Sequence, residues 1–111
     1  MNYRPLRVGK LIREELSALI LRELEFPGAL VTLMEVEVDK KLGLAKVEVS
    51  VVPSARAGEA LAILNDNRSR LQHALLRKIN IKPMPQLRFA IDRGPENAAR
   101  VEKNLLEEDN T

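Results

Sequence analysis

The constraint that narrows the fold most is a change of hydrophobic period along the chain. Val8, Leu11, Ile12, Leu16, Leu19, Ile20 and Leu24 recur on a 3.6-residue spacing, which predicts a helix over residues 6–25. Pro5 suits its first turn, and Pro27-Gly28 cannot continue it. From Leu30 to Val38 the period falls to two, with Thr32, Met34, Val36 and Val38 expected on one face and Leu33, Glu35 and Glu37 on the other. Leu44–Val52 repeats the alternation, with Ala45, Val47, Val49 and Val51 inward. The short link Asp39-Lys40-Lys41-Leu42-Gly43 predicts an antiparallel hairpin.

Beyond Pro53, with Ser54 as a candidate cap, the helical period returns at Ala60, Leu61 and Leu64 and resumes at Leu71, Leu75 and Ile79. Between these lies a polar run, Asn65-Asp66-Asn67-Arg68-Ser69-Arg70. A continuous helix would turn part of that run inward, and Asn, Asp and Ser compete for backbone hydrogen bonds. Two helices, or one kinked helix, are therefore expected, with a new helix start exposed near Ser69–Leu71. Asn80–Pro85 reads as irregular; Leu87, Phe89 and Ile91 form a third strand; Gly94-Pro95-Glu96 opens a last helix lined by Ala98, Val101 and Leu105. The fold class is α+β, a three-stranded mixed sheet with helices on one face.

At 111 residues, 45% of them apolar, the chain has material for one core, so a single domain is expected over residues 1–108 with a frayed tail at 109–111. It lacks cysteine, has one histidine, and shows neither a glycine-rich phosphate loop nor carboxylates at a calcium-loop spacing. Catalysis, metal binding and a cofactor are thus unsupported. His73 reads as a partly exposed helical side chain, and Asp39, Asp66 and Asp92 read as caps or turn formers. No membrane span or signal peptide is seen, and a cytoplasmic monomer is expected.

Net charge is only +2, but it is unevenly spread. Arg4, Arg7, Lys10 and Arg13 crowd the first 13 residues, and Arg68, Arg70, Arg77, Lys78, Lys82, Arg88 and Arg93 face only Asp66 and Asp92 across residues 65–93. The last 18 residues are acidic. Such an arrangement suits a polyanion, with phosphate contacts expected from Arg68 and Arg70 beside the helix start, Arg77, Lys78 and Lys82 farther on, and Arg4, Arg7 and Lys10 if the first helix lies alongside. With one Tyr, two Phe and no Trp, base stacking on a sheet is unavailable, and Tyr3 is the one exposed ring to consider. The rival reading is a protein-interaction module with a basic surface, which predicts an exposed apolar patch on the last helix or at Leu33 and Leu44.

The chain resembles the ribosome-binding factor A family. Arg7-Val8 with Ile12, Glu15 and Leu16 is similar to that family's opening helix. Val31-Thr32 with Val36 and Val38, and Ala45-Lys46-Val47 with Val49-Ser50-Val51, are similar to its first two strands. Pro85-Gln86-Leu87-Arg88-Phe89 with Asp92 resembles its proline–acid–leucine–x–phenylalanine run. The resemblance implies a KH-like domain of the second type, ordered helix, strand, strand, helix, kink, helix, strand. It also implies a non-catalytic role in maturing the small ribosomal subunit, with that subunit, its rRNA and possible further assembly factors as partners, and a link to growth in the cold. The family usually bends its RNA-binding helices at alanine–x–glycine. Here Asn67-Arg68-Ser69 stands at that place, Gln72 stands where arginine is common, and Gln86 replaces the acid.

Overall fold

The computed structural model describes residues 4–92. Its elements are α1 (Arg4–Glu23), β1 (Leu30–Val38), β2 (Leu44–Val52), a short 3-10 helix (Ser54–Arg56), α2 (Ala57–Asp66), α3 (Arg68–Lys78) and β3 (Gln86–Ile91). β1 pairs antiparallel with β2, and β2 pairs parallel with β3, so the sheet is mixed and ordered β1-β2-β3. The long connection through α2 and α3 is what allows the parallel pairing. This is the architecture the periodicity predicts. Tyr3 and the expected final helix with Ala98, Val101 and Leu105 lie outside the described residues.

One core forms between the sheet and its helices. Ile12, Leu16 and Leu19 of α1, Leu64 of α2, and Leu71 and Leu75 of α3 meet Ala45, Val47, Val49, Leu87 and Phe89 of the strands. Lys46 and Arg88 are exposed on the opposite face of the sheet. Across that open face Glu37 pairs with Lys46, while Glu35 pairs with Glu48, which in turn meets Lys46 at 3.4 Å.

The period-two reading of β1 fails in one place. The register jumps between Leu33, opposite Val49, and Glu35, opposite Glu48, so Met34 is the extra residue of a β-bulge. Val31 and Leu33 therefore share the core side with Val36 and Val38, whereas Thr32 and Met34 are exposed. Leu33 is accordingly not part of an open apolar face.

The hairpin closes on Asp39, as expected of a turn former. Its carboxylate accepts from the Gly43 and Leu44 amides at 2.7 and 3.2 Å, and its carbonyl accepts from Leu42 at 3.1 Å. The residue in left-handed backbone is Leu42 (φ 57°) rather than the adjacent Gly43, and its side chain is buried, so packing offsets the conformational cost. Ser54 makes no cap bond; Pro53 precedes the 3-10 helix and the serine begins it. Asp66 does not cap either, since it ends α2 and the capping position is Asn67.

α1 lies against β1 through Gly9, which is buried. A Cβ there would stand 2.9 Å from the Val36 carbonyl oxygen, closer than a side chain tolerates. Gly9→Ala is thus expected to lose about 1–3 kcal/mol of stability in urea titration, although alanine is intrinsically the better helix former by about 1 kcal/mol. A net gain would show that the helix lifts from the strand at no cost.

Candidate nucleic-acid interface

The polar run is almost entirely helical. Asn67 alone separates α2 from α3, with φ −103° and ψ 6°. That is the bridge region, open to ordinary residues, so the bend does not require glycine. The Asn67 amide donates to both Ile63 and Leu64 carbonyls at 3.2 Å, and its side-chain Nδ2 donates to the Ile63 carbonyl at 2.7 Å. Asparagine therefore closes α2 by reaching backward.

The first bond of α3 runs from the Leu71 amide to the Asn67 carbonyl at 2.9 Å. The amides of Arg68, Ser69 and Arg70 precede it and so lack acceptors within the helix. The helix thus starts at Arg68, ahead of the expected Ser69–Leu71, and Ser69 lies inside the first turn instead of capping it. Arg68, Ser69 and Arg70 are all exposed. Three amides without acceptors in their own helix, with two exposed arginines in the same turn, are suited to holding a phosphate.

α1 packs beside α3. Lys78 Nζ meets Glu15 Oε2 at 3.7 Å, and Arg4 Nη2 donates to the Lys82 carbonyl at 3.3 Å. As α3 descends toward Lys82, α1 therefore runs back from Arg4 toward Glu15, and the two helices are antiparallel. This arrangement sorts the expected cations into two groups. Asn67, Arg68, Ser69 and Arg70 form one at the bend. Arg4 and Lys82 form the other, beyond the 11 residues of α3, a length of about 16 Å. Arg77 is exposed in the last turn of α3. Lys78 is engaged with Glu15. Arg7 and Lys10 share a hollow on the exposed side of α1 with Leu11 and Glu14, whose carboxylate dilutes the positive field there.

Sequence reasoning noted Gln72 only as standing in place of a common arginine and missed what it bonds to. Its Nε2 donates to the Pro85 carbonyl at 2.6 Å, and its Oε1 accepts from the Leu87 amide at 2.9 Å, which ties the second turn of α3 to the start of β3. The available signal was its place beside the core residues Leu71 and Leu75. His73 is exposed, and the described residues contain no group of His, Cys, Asp and Glu that could hold a metal. No described helix is long and apolar enough to cross a membrane.

Comparison with known proteins bears on this geometry. The family model for ribosome-binding factor A matches residues 4–105, from the start of α1 through all three strands. The chain belongs to the ribosome-binding factor A family. Ribosome-binding factor A of Akkermansia muciniphila is 35% identical over 108 residues, covering 97% of this chain and 86% of that protein. The Chlorobaculum parvum ribosome-binding factor A is 37% identical over 108 residues, covering 95% and 90%. Among solved structures, a crystal structure of ribosome-binding factor A from Thermus thermophilus shares the fold with a TM-score of 0.69 at 23% identity, covering 83% of this chain and 100% of that one. A Thermus thermophilus ribosome-binding factor A homology model, fitted into the cryo-EM map of a 30S complex, aligns with a TM-score of 0.66 at 27% identity, covering 76% and 90%.

Proposed function

We propose that this member of the family binds ribosomal RNA of the small subunit during its maturation and performs no catalysis. The observation that carries the reading is the exposed start of α3, where the first amides have no acceptor within the helix and Arg68 and Arg70 are exposed in the same turn. Support comes from the related Thermus thermophilus protein, whose coordinates were fitted as a complex with the 30S particle. Phosphate, sugar and shape supply most of the contacts, because besides the exposed His73 imidazole the described part of the chain offers only half-buried Phe26 and buried Phe89 as aromatic rings. The further parts of the reading have separate grounds: a cytoplasmic monomer is the expectation from the sequence, and action among other assembly factors with a role in the cold follows from the family resemblance.

The test is co-sedimentation of the full chain with purified small subunits over a salt series. Engagement of Arg4, Arg68, Arg70, Arg77 and Lys82 predicts that log affinity falls against log salt with a slope of roughly −3.5 to −4.5, at 0.7–0.9 per phosphate neutralised. No association even at low salt would overturn the proposal. The second reading, a protein-interaction module, rests on Leu21 and Leu30, which are 85% and 67% exposed and line one hollow between α1 and β1. It predicts partner binding that is indifferent to salt.

A further inference from the structure

We propose that Gln72 is a positioning residue for the rRNA surface, holding the start of α3 at a fixed orientation to the Arg4–Lys82 group; this rests on the RNA-binding reading above. β3 is an edge strand of the sheet. The Gln86 amide points inward, donating to the Gly43 carbonyl at 3.0 Å beside β2. The Pro85 carbonyl and the Leu87 amide on either side of it therefore point outward. A residue of a further parallel strand would donate to the first and accept from the second. The Gln72 carboxamide makes that same pair of bonds, at 2.6 and 2.9 Å. One side chain thus stands in for the backbone of one residue of a missing strand, and both of its polar atoms are used.

The consequence for the surface follows from what each end carries. Asn67–Arg70 lies within about one and a half helical turns before Gln72, on the same rigid helix. Pro85 is fully buried, and the loop leading into it contains Lys82, whose carbonyl holds Arg4. Alongside the Lys78–Glu15 ion pair at the far end of α3, Gln72 is therefore a side-chain link between the start of α3 and the cations beyond that helix, and the one nearest the bend. Without it, Arg4 and Lys82 keep their mutual contact and Lys78 keeps Glu15, but the start of α3 loses its tie to β3 and can rock on the core residues Leu71 and Leu75. Every cation is retained; only their relative placement is lost.

The deciding variant is Gln72→Met in the full chain, similar in length and without donor or acceptor. Binding to purified small subunits is measured over the salt series, alongside a thermal melt and exchange of the Leu87 amide hydrogen. The expected result is an affinity about tenfold lower at every salt concentration with an unchanged salt slope, as when only about a tenth of molecules present the competent arrangement. The Leu87 amide should lose its exchange protection. A charge-removing control, Arg68→Gln, should instead flatten the slope by about 0.7–0.9. A merely structural role would lower the melting temperature and leave affinity well below it unchanged, and that result overturns the inference. So does a flattened slope for Gln72→Met. Should that variant not fold, Gln72→Asn, whose amide stays hydrated but is one methylene too short to reach, carries the same measurements and the same criteria. If the unaltered chain binds and the glutamine variants match it, this inference alone falls; if the unaltered chain does not bind, the RNA-binding reading falls and this one with it.

Discussion

Reversing Arg68 and Arg70 to glutamate together is expected to weaken binding to small subunits by roughly two orders of magnitude at about 0.1 M salt. Two phosphate contacts are removed and two repulsions are introduced at the same point. The salt slope should flatten by about 1.4–1.8, the contribution of two cations. The fold is expected to survive. Both side chains are exposed and form no ion pair among the described residues. An acidic residue in the first turn of a helix is, if anything, stabilising there. A weakened affinity in a variant with an unaltered melting curve therefore reports on the interface. A change of less than about threefold would place the interface elsewhere, with the hollow at Leu21 and Leu30 the first alternative to examine.

The second large effect concerns stability. Leu64→Ala should cost about 3 kcal/mol, within the range for deleting a leucine from a packed interior. Leu64 is 0% exposed and lies one turn before the bend, where its carbonyl accepts from the Asn67 amide. Its removal leaves a cavity under the junction of α2 and α3, and the leucines across it, Leu71 and Leu75, cannot fill the space without shifting α3. For a chain of this size the loss corresponds to a drop in Tm of roughly 12–20 °C. Urea denaturation measures it directly. A loss below about 1 kcal/mol would show that the bend is not supported from beneath.

These two outcomes separate what the amino-acid order announces from what it conceals. The helical stripe from Val8 to Leu24, the alternation of β2 and the interruption at Asn65–Arg70 are all local patterns, and each corresponds to an element of the structure. The cations at the bend were equally legible, because helix-breaking polar residues and basic residues coincide there. What stayed hidden depends on pairing across the fold. Met34 reads as part of an unbroken alternation until β2 is laid beside it. Leu42 takes the left-handed backbone although a glycine follows it, because the core has room for its side chain. Lys78 appears free until Glu15 arrives from α1, and Gln72 has no evident task until β3 returns beside α3. A helix start is expected near Ser69, yet Asn67 stands at the junction and closes the preceding helix. Local periodicity selects the elements; contacts distant in sequence decide which polar side chains stay exposed.

The bulge at Met34 also bears on self-association through the sheet edge. β1 is the other edge of the sheet, and it carries exposed Leu30 and Met34. An unbroken edge of nine residues would present an even row of unpaired amides and carbonyls, a template on which a second extended chain could extend the ladder. The extra residue breaks the spacing of that row midway and twists the strand. Removing Met34 would restore the simple alternation that the sequence suggests, and would leave a straighter edge on which copies of the protein could aggregate.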